Sequence, residues 1–410
     1  MGRIGSLTLG IITAIGGFVD MGELVTCSQA GAQYHFALLW TVVVGVLGIM
    51  VYAEMAGRVA ITSGRTLIDV IRERLGWRIA SISMVVATLV NVLTIVIEIS
   101  GMALVLQIVT GISYLWWLPV TALLIAGILW FSSFKLIENG ASLLGLGILI
   151  FVVAAVKMNP PWSEVGRQLI IPSIPGGTGL SAYAFSAVSL IGAFMTPYEI
   201  YFYSSGAIEE EWTGKDFVTN RMTTIIGFTF GSLIVISMMV VAAQTFFLHG
   251  LKSASFGSIP VPVVSALGIG GLAVFAFGAF ADTGGAALEA SLSTGYSIAQ
   301  FFGWDWGQEH NPRQAPAFVF TYLVAILVAV IIGLTGVDPI QLTIYTTALA
   351  AFSLPFTFIP LLIVANDEVY MGDMRNGFLA NISSGFFLII LTIVTIATIP
   401  LFILSGGGGG

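Results

Sequence analysis

Apolar runs long enough to cross a bilayer recur along almost the whole chain. At a rise of ~1.5 Å per residue, roughly 20 residues span the hydrocarbon. Eleven candidate spans follow on that measure, at approximately 5–33, 37–60, 79–109, 114–132, 140–157, 180–205, 219–248, 262–300, 315–335, 339–365 and 378–404. The third and eighth are long enough to tilt or to project beyond the membrane. Between the second and third lies Thr66–Ala80, TLIDVIRERLGWRIA. Its Leu67, Val70, Ile71 and Leu75 share one helical face while Arg72, Glu73 and Arg74 point elsewhere. That pattern predicts a short helix on the cytoplasmic surface, a connector that keeps the topology fixed.

Two of these runs are interrupted by acid. Gly16–Ser28 reads GGFVDMGELVTCS, setting Asp20 and Glu23 among Gly16, Gly17 and Gly22. Gly192–Tyr203 reads GAFMTPYEIYFY, where Pro197 and Glu199 break the sixth run. Each interruption opens a block of five spans, and an odd number of spans inverts the second block in the membrane. The expected organisation is a first unit over 1–158 (spans one to five) and an inverted second unit over 159–366 (spans six to ten). Residues 367–405 add a connecting loop and an eleventh span, and 406–410 is a glycine run outside the argument. The fold class is therefore an all-α membrane protein with a 5+5 inverted repeat and discontinuous first and sixth helices.

Composition narrows this further. The chain is 57% hydrophobic and 9% charged, with mean hydropathy +1.00; a soluble protein carries roughly 25% charged residues. Continuous runs, not ten-residue alternating strands, argue against a β-barrel. A net charge of -7 offers nothing to nucleic acid. The single Cys27 allows no intrachain disulfide and no thiolate metal cage. The acids in the first run mark it as a retained span, not a cleaved leader. With the N-terminus inside, eleven of the 14 basic residues fall in cytoplasmic segments and three, Lys157, Arg167 and Lys252, outside. The expectation is a multi-pass cell-membrane protein with a cytoplasmic N-terminus and an extracellular C-terminus. Its oligomeric state is open and a monomer suffices.

Asp20 and Glu23 have no basic companion in their segment. Burying them calls for protonation, a partner from another helix or a bound cation. Pro197 removes a backbone donor, freeing carbonyls near Ala193 and Phe194 beside the hydroxyls of Thr196 and Tyr198. A donor set of carboxylates, carbonyls and hydroxyls suits Mg²⁺, or the borderline Mn²⁺, better than softer metals. The candidate metal residues are Asp20, Glu23, Ala193, Thr196 and Glu199. Of the other acids, Glu98 and Glu138 are expected chiefly in helix–helix hydrogen bonds. Asp282 and Glu289, seven apart on one face, could form a second station, and Glu54 pairs with Arg58. His35, His249 and His310 all map to loops or span ends.

On these residues the chain resembles the NRAMP family of divalent metal transporters, which have the LeuT-type inverted-repeat fold. Asp20, Met21, Gly22 and Glu23 stand where the family carries Asp-Pro-Gly-Asn. Thr196, Pro197 and Tyr198 stand at its Met-Pro-His. Gly192-Ala193, Tyr201, Ser204 and Ser205, LPFTFIPLL at Leu354–Leu362 and MGDMRN at Met371–Asn376 also fit. The departures are Thr196 for the metal-binding Met, Glu23 for Asn, and Tyr198 and Tyr203 for two histidines associated with proton coupling. Together they resemble the NRAMP-related magnesium transporter branch. The resemblance implies that Asp20, Thr196 and a helix-six backbone carbonyl flank the ion, and that transport proceeds by alternating access.

The function expected from the sequence is a secondary transporter taking Mg²⁺, and also Mn²⁺, into the cytoplasm without coupled protons; its partners are the bilayer and the ion, with no cofactor. The alternatives are a proton-coupled Mn²⁺/Fe²⁺ transporter and a divalent cation channel. An amino-acid transporter of like architecture is disfavoured because Asp20 and Glu23 would repel a substrate carboxylate. No nucleophile–base set or nucleotide loop indicates an enzyme.

Overall fold

A computed structural model describes residues 19–176, 179–251, 255–309 and 312–406. Arg3, Gly16, Gly17, Lys252, His310, Gly407–Gly410 and the Glu138 side chain lie outside the described residues. The described chain is helical. In order, the helices are α1 Met21–Tyr34, α2 Leu39–Ser63, α3 Leu67–Leu75, α4 Trp77–Thr110, α5 Tyr114–Phe131, α6 Phe134–Gly145, α7 Ile150–Met158, α8 Trp162–Ile170, α9 Leu180–Ala193, α10 Pro197–Glu209, α11 Phe217–Thr245, α12 Val261–Leu267, α13 Ile269–Phe302, α14 Pro316–Leu334, α15 Pro339–Ala365, α16 Glu368–Met371 and α17 Phe378–Leu404.

Among the described residues nine helical stretches are long and apolar enough to cross a membrane, α9 and α10 counting as one. The other two expected spans are the first, described only from its break onward as α1, and the fifth. In the fifth, α6 passes through a 3-10 turn at Leu146–Leu149 into α7. That turn sits where Gly147 and Gly278 cross backbone to backbone, and a Cβ on Gly147 would lie 2.7 Å from Gly278 Cα. The eighth run is not continuous: Gly268, at φ 73, separates α12 from α13.

Helices five spans apart pack together. The most extensive contact is α4 against α13, the third and eighth spans, and α2 lies against α11, α1 against α9 and α5 against α14. These are the pairings an inverted two-fold arrangement produces. At the periphery, α17 turns Phe378, Leu379, Ile389, Ile393, Ile396 and Ile403 outward, an apolar face that only lipid would accept.

The expected surface helix is α3, and its placement differs from the sequence reading. Leu67, Ile68, Val70 and Ile71 are buried, and the Leu67 N–H donates to Ser204 Oγ of α10 at 2.8 Å. Arg72 donates to the carbonyls of Gln300 and Phe301 at the end of α13, at 2.8 and 2.5 Å. Arg74 pairs with Asp367 and Arg65 with Glu73, whose carboxylate also accepts from Tyr370 at 3.1 Å. Alternation of apolar and basic residues cannot distinguish a membrane surface from a pocket of protein, because both accept the same amphipathic face. Glu54 and Arg58 pair as expected, at 3.1 Å. Arg58 also donates to the Met374 carbonyl at 2.6 Å and Asn376 Oδ1 at 2.7 Å, so the Met371–Asn376 segment clasps a buried guanidinium.

Candidate metal site

The chain restarts as helix at Met21 because Asp20 caps it. Asp20 is extended (φ -134, ψ -169) and its Oδ1 accepts from the Gly22 N–H at 2.5 Å. Glu23, three residues on, reaches back so that its Oε2 accepts from the Asp20 N–H at 2.9 Å. Glu98, from the middle of α4, accepts the Met21 N–H on both oxygens at 3.2 Å. Three carboxylates therefore hold the N–H groups of Asp20, Met21 and Gly22, at the positive end of the α1 dipole. Of the compensations open to the sequence, a partner from another helix is present for Asp20 in the Tyr198 hydroxyl; backbone capping is a further one that the sequence reading does not include. The spacing Asp20-x-x-Glu23 was the available signal, since it is a capping box.

The second break follows the same logic with proline. Helix α9 ends at Ala193, Phe194 and Met195 turn, and α10 begins at Pro197, a position where the missing N–H costs nothing. The Thr196 hydroxyl bonds the Glu199 carboxylate, while Glu199 Oε2 is buried without a partner. Tyr198 joins the two breaks: its hydroxyl donates to Asp20 Oδ2 at 3.1 Å, and its carbonyl accepts from Ser293 of α13 at 3.1 Å. A Cβ on Gly22 would lie 2.7 Å from Asp20 Oδ1, 3.3 Å from Thr347 Cγ2 and 3.8 Å from Ala193 Cβ. Asp20, Ala193 and the α15 residue Thr347 thus sit side by side.

Asp20 is the hub of the buried acids: Glu23, Glu98, Glu199, Asp282 and Glu289 each lie within its electrostatic reach. All six are buried. Among the described residues, however, no three Asp, Glu, His or Cys side chains converge into a ready coordination shell. The five sequence candidates divide accordingly. Asp20, Glu23 and Ala193 meet at the first break, and Thr196 and Glu199 pair with each other at the second, where Glu199 faces Glu289. The nearby sulfurs point elsewhere. Met21 Sδ packs over Gly101, 3.1 Å from where a Cβ would stand, and Met195 packs likewise over Gly48. Cys27 is buried one turn beyond Glu23. Beside α1 and α9 lies a crevice of about 30 Å³ lined by Thr26, Gln29, Gln33, Ser186 and Ser189.

The fold is that of the broken-helix, inverted-repeat transporters. The chain is similar to the Eremococcus coleocola manganese transporter in complex with an aromatic bis-isothiourea compound, at TM-score 0.78 and 20% identity, over 100% of this chain and 90% of that one. It is also similar to MhsT in complex with L-phenylalanine, at TM-score 0.63 and 15% identity, over 98% of each chain. In sequence it is 28% identical over 374 residues to the divalent metal cation transporter MntH of Deinococcus radiodurans, covering 87% of this chain and 81% of that protein. The family model described as Natural resistance-associated macrophage protein-like matches residues 10–400. A match across nearly the whole chain, with two acid-bearing breaks meeting at Asp20, means that this protein belongs to the Nramp family.

Proposed function

We propose that this protein is a secondary transporter of divalent metal ions, Mn²⁺ among them, working by alternating access around Asp20. The observation that carries this reading is the bridge from Tyr198 to Asp20, which places the second helix break against a carboxylate at the first. The likeness to a divalent metal cation transporter of Deinococcus and to a manganese transporter of Eremococcus supports Mn²⁺. An ion arriving at Asp20 would draw Glu23 away from its capping bond and recruit the Ala193 carbonyl, Thr196 and Glu199 as the two breaks close on it. The 5+5 division at 158 and 366, with the N-terminus inside and the C-terminus outside, is part of the same proposal, supported by the packing of helices five spans apart.

A second reading, Mg²⁺ carried without protons, is favoured by one specific observation. Met21 and Met195 turn their thioethers onto glycines, leaving oxygen as the chemistry at the breaks, which suits a hard ion. The membrane potential alone drives a dication inward by about 4.6 kcal/mol per 100 mV, twice the single-charge value.

Uptake into proteoliposomes at a set potential tests both readings. Asp20→Ala and Glu23→Ala should each lose most Mn²⁺ uptake, and parent-like transport by both would overturn the site. Excess Mg²⁺ abolishing Mn²⁺ uptake, with no proton influx, supports the second reading. Mg²⁺ indifference with proton influx that scales with Mn²⁺ entry supports a proton-coupled Mn²⁺/Fe²⁺ transporter. Unitary currents would replace both with a channel.

A further inference from the structure

Asp282 takes no part in the capping just described. It lies in the middle of α13 and is 1% exposed, and among the described residues neither carboxylate oxygen has a partner. Its neighbour Thr283 packs over Gly101, where Met21 Sδ also rests, so Asp282 stands at the level of the first helix break. The charged groups near it are Asp20 and Glu289, with Glu98 facing it from α4, and all are acids. Glu289, seven residues on, is two turns along the same face, about 10 Å away at helical rise, and there it meets Glu199 of α10.

A membrane-buried carboxylate with no hydrogen bond is among the least favourable arrangements a fold can hold, and it persists where function needs it. Asp20, Glu23 and Glu98 each accept an N–H at the start of α1, from Gly22, Asp20 and Met21 in turn, so they have a reason to be buried without an ion. Asp282 has none. We propose that Asp282 is a second binding station for the transported dication, lying beside the Asp20 site on the α13 face. The ion, still partly hydrated, occupies it in passing to or from Asp20, its waters spanning to Glu98. This rests on the reading that a dication passes Asp20, and it adds a distinct residue on a helix that contributes to neither break.

The test compares the parent with Asp282→Asn, Asp282→Glu and Asp20→Asn in proteoliposomes, using Mn²⁺ and Mg²⁺ as the probes. Asp282→Asn should lower initial uptake at least tenfold, and Asp282→Glu, which keeps the charge, should retain at least a third. In parallel, a membrane-permeant carbodiimide is applied to the purified parent and to Asp20→Asn, and Asp282 modification is read by peptide mass spectrometry. Millimolar Mn²⁺ or Mg²⁺ should reduce that modification several-fold in both proteins, and K⁺ should not. Uptake by Asp282→Asn within twofold of the parent overturns the station. So does labelling of Asp282 that divalent ions leave unchanged, or its complete absence, or protection that disappears in Asp20→Asn. If Asp282→Asn does not survive purification, Asp282→Glu and the labelling of the parent decide. Parent-like uptake by Asp20→Asn is a different failure, that of the Asp20 reading itself.

Discussion

Glu23 carries two separable properties, an acceptor that caps α1 and a negative charge. Glu23→Gln keeps an acceptor for the Asp20 N–H and removes the charge, whereas Glu23→Ala removes both. If the charge binds the ion, both variants lose uptake while only the alanine loses stability, by about 1 kcal/mol for a broken cap. Uptake and thermal unfolding measured on the same two preparations separate the roles, and full activity in the glutamine variant would reduce Glu23 to a cap. Tyr198→Phe makes a sharper demand on the bridge between the breaks. It removes one hydroxyl that donates to Asp20 and leaves the ring in place. The expected result is a several-fold loss of uptake with little change in melting temperature. Of these residues, Asp20, Glu23, Thr196 and Glu199 stood out in the sequence as acids and breakers in apolar runs. The partners of Glu98 did not, because a carboxylate 77 residues from Met21 reaches its N–H only through helix packing.

At the scale of elements, α3 is the tie between the ends of several spans. Its Arg74 donates to Asp367, and that bond, with the Val369 N–H, holds the Asp367 carboxyl below its usual range. A folded-state pKa lowered in this way contributes stability that is fully present above the unfolded value of about 4 and fades as pH falls through the folded one. Asp367→Asn should therefore melt lower than the parent at neutral pH, with the gap narrowing on acidification below about pH 4. Arg74 is half exposed, so the gap should also shrink in high salt. Thermal melts across pH and ionic strength provide the check; a gap that widens in acid would contradict this pairing. The crossing of Gly147 and Gly278 makes a second demand. A Cβ on Gly278 would lie 2.6 Å from the Ile148 nitrogen and closer still to the Gly147 carbonyl carbon. Gly278→Ala should cost ~1–3 kcal/mol, read as a lower melting temperature in detergent. Nothing in the sequence singles out these two glycines, because their contact exists only once helices distant in the chain pack together.

Across the whole molecule, transport of an uncompensated dication should be electrogenic. Uptake at low ion concentration should rise steeply as the vesicle interior is made negative, and a proton-coupled cycle would add an acidification of the lumen that tracks metal entry. A pH dye and a metal dye followed in the same vesicles measure both.

The all-helical membrane fold, the two interruptions and the family were legible in the chain itself, because a bilayer accepts only long apolar helices and penalises every acid within them. What α3 packs against, which N–H groups occupy Asp20, Glu23 and Glu98, and the bare carboxylate of Asp282 were decided by tertiary structure. Hydropathy records whether a residue leaves water, and it is silent on which atom from another helix receives it.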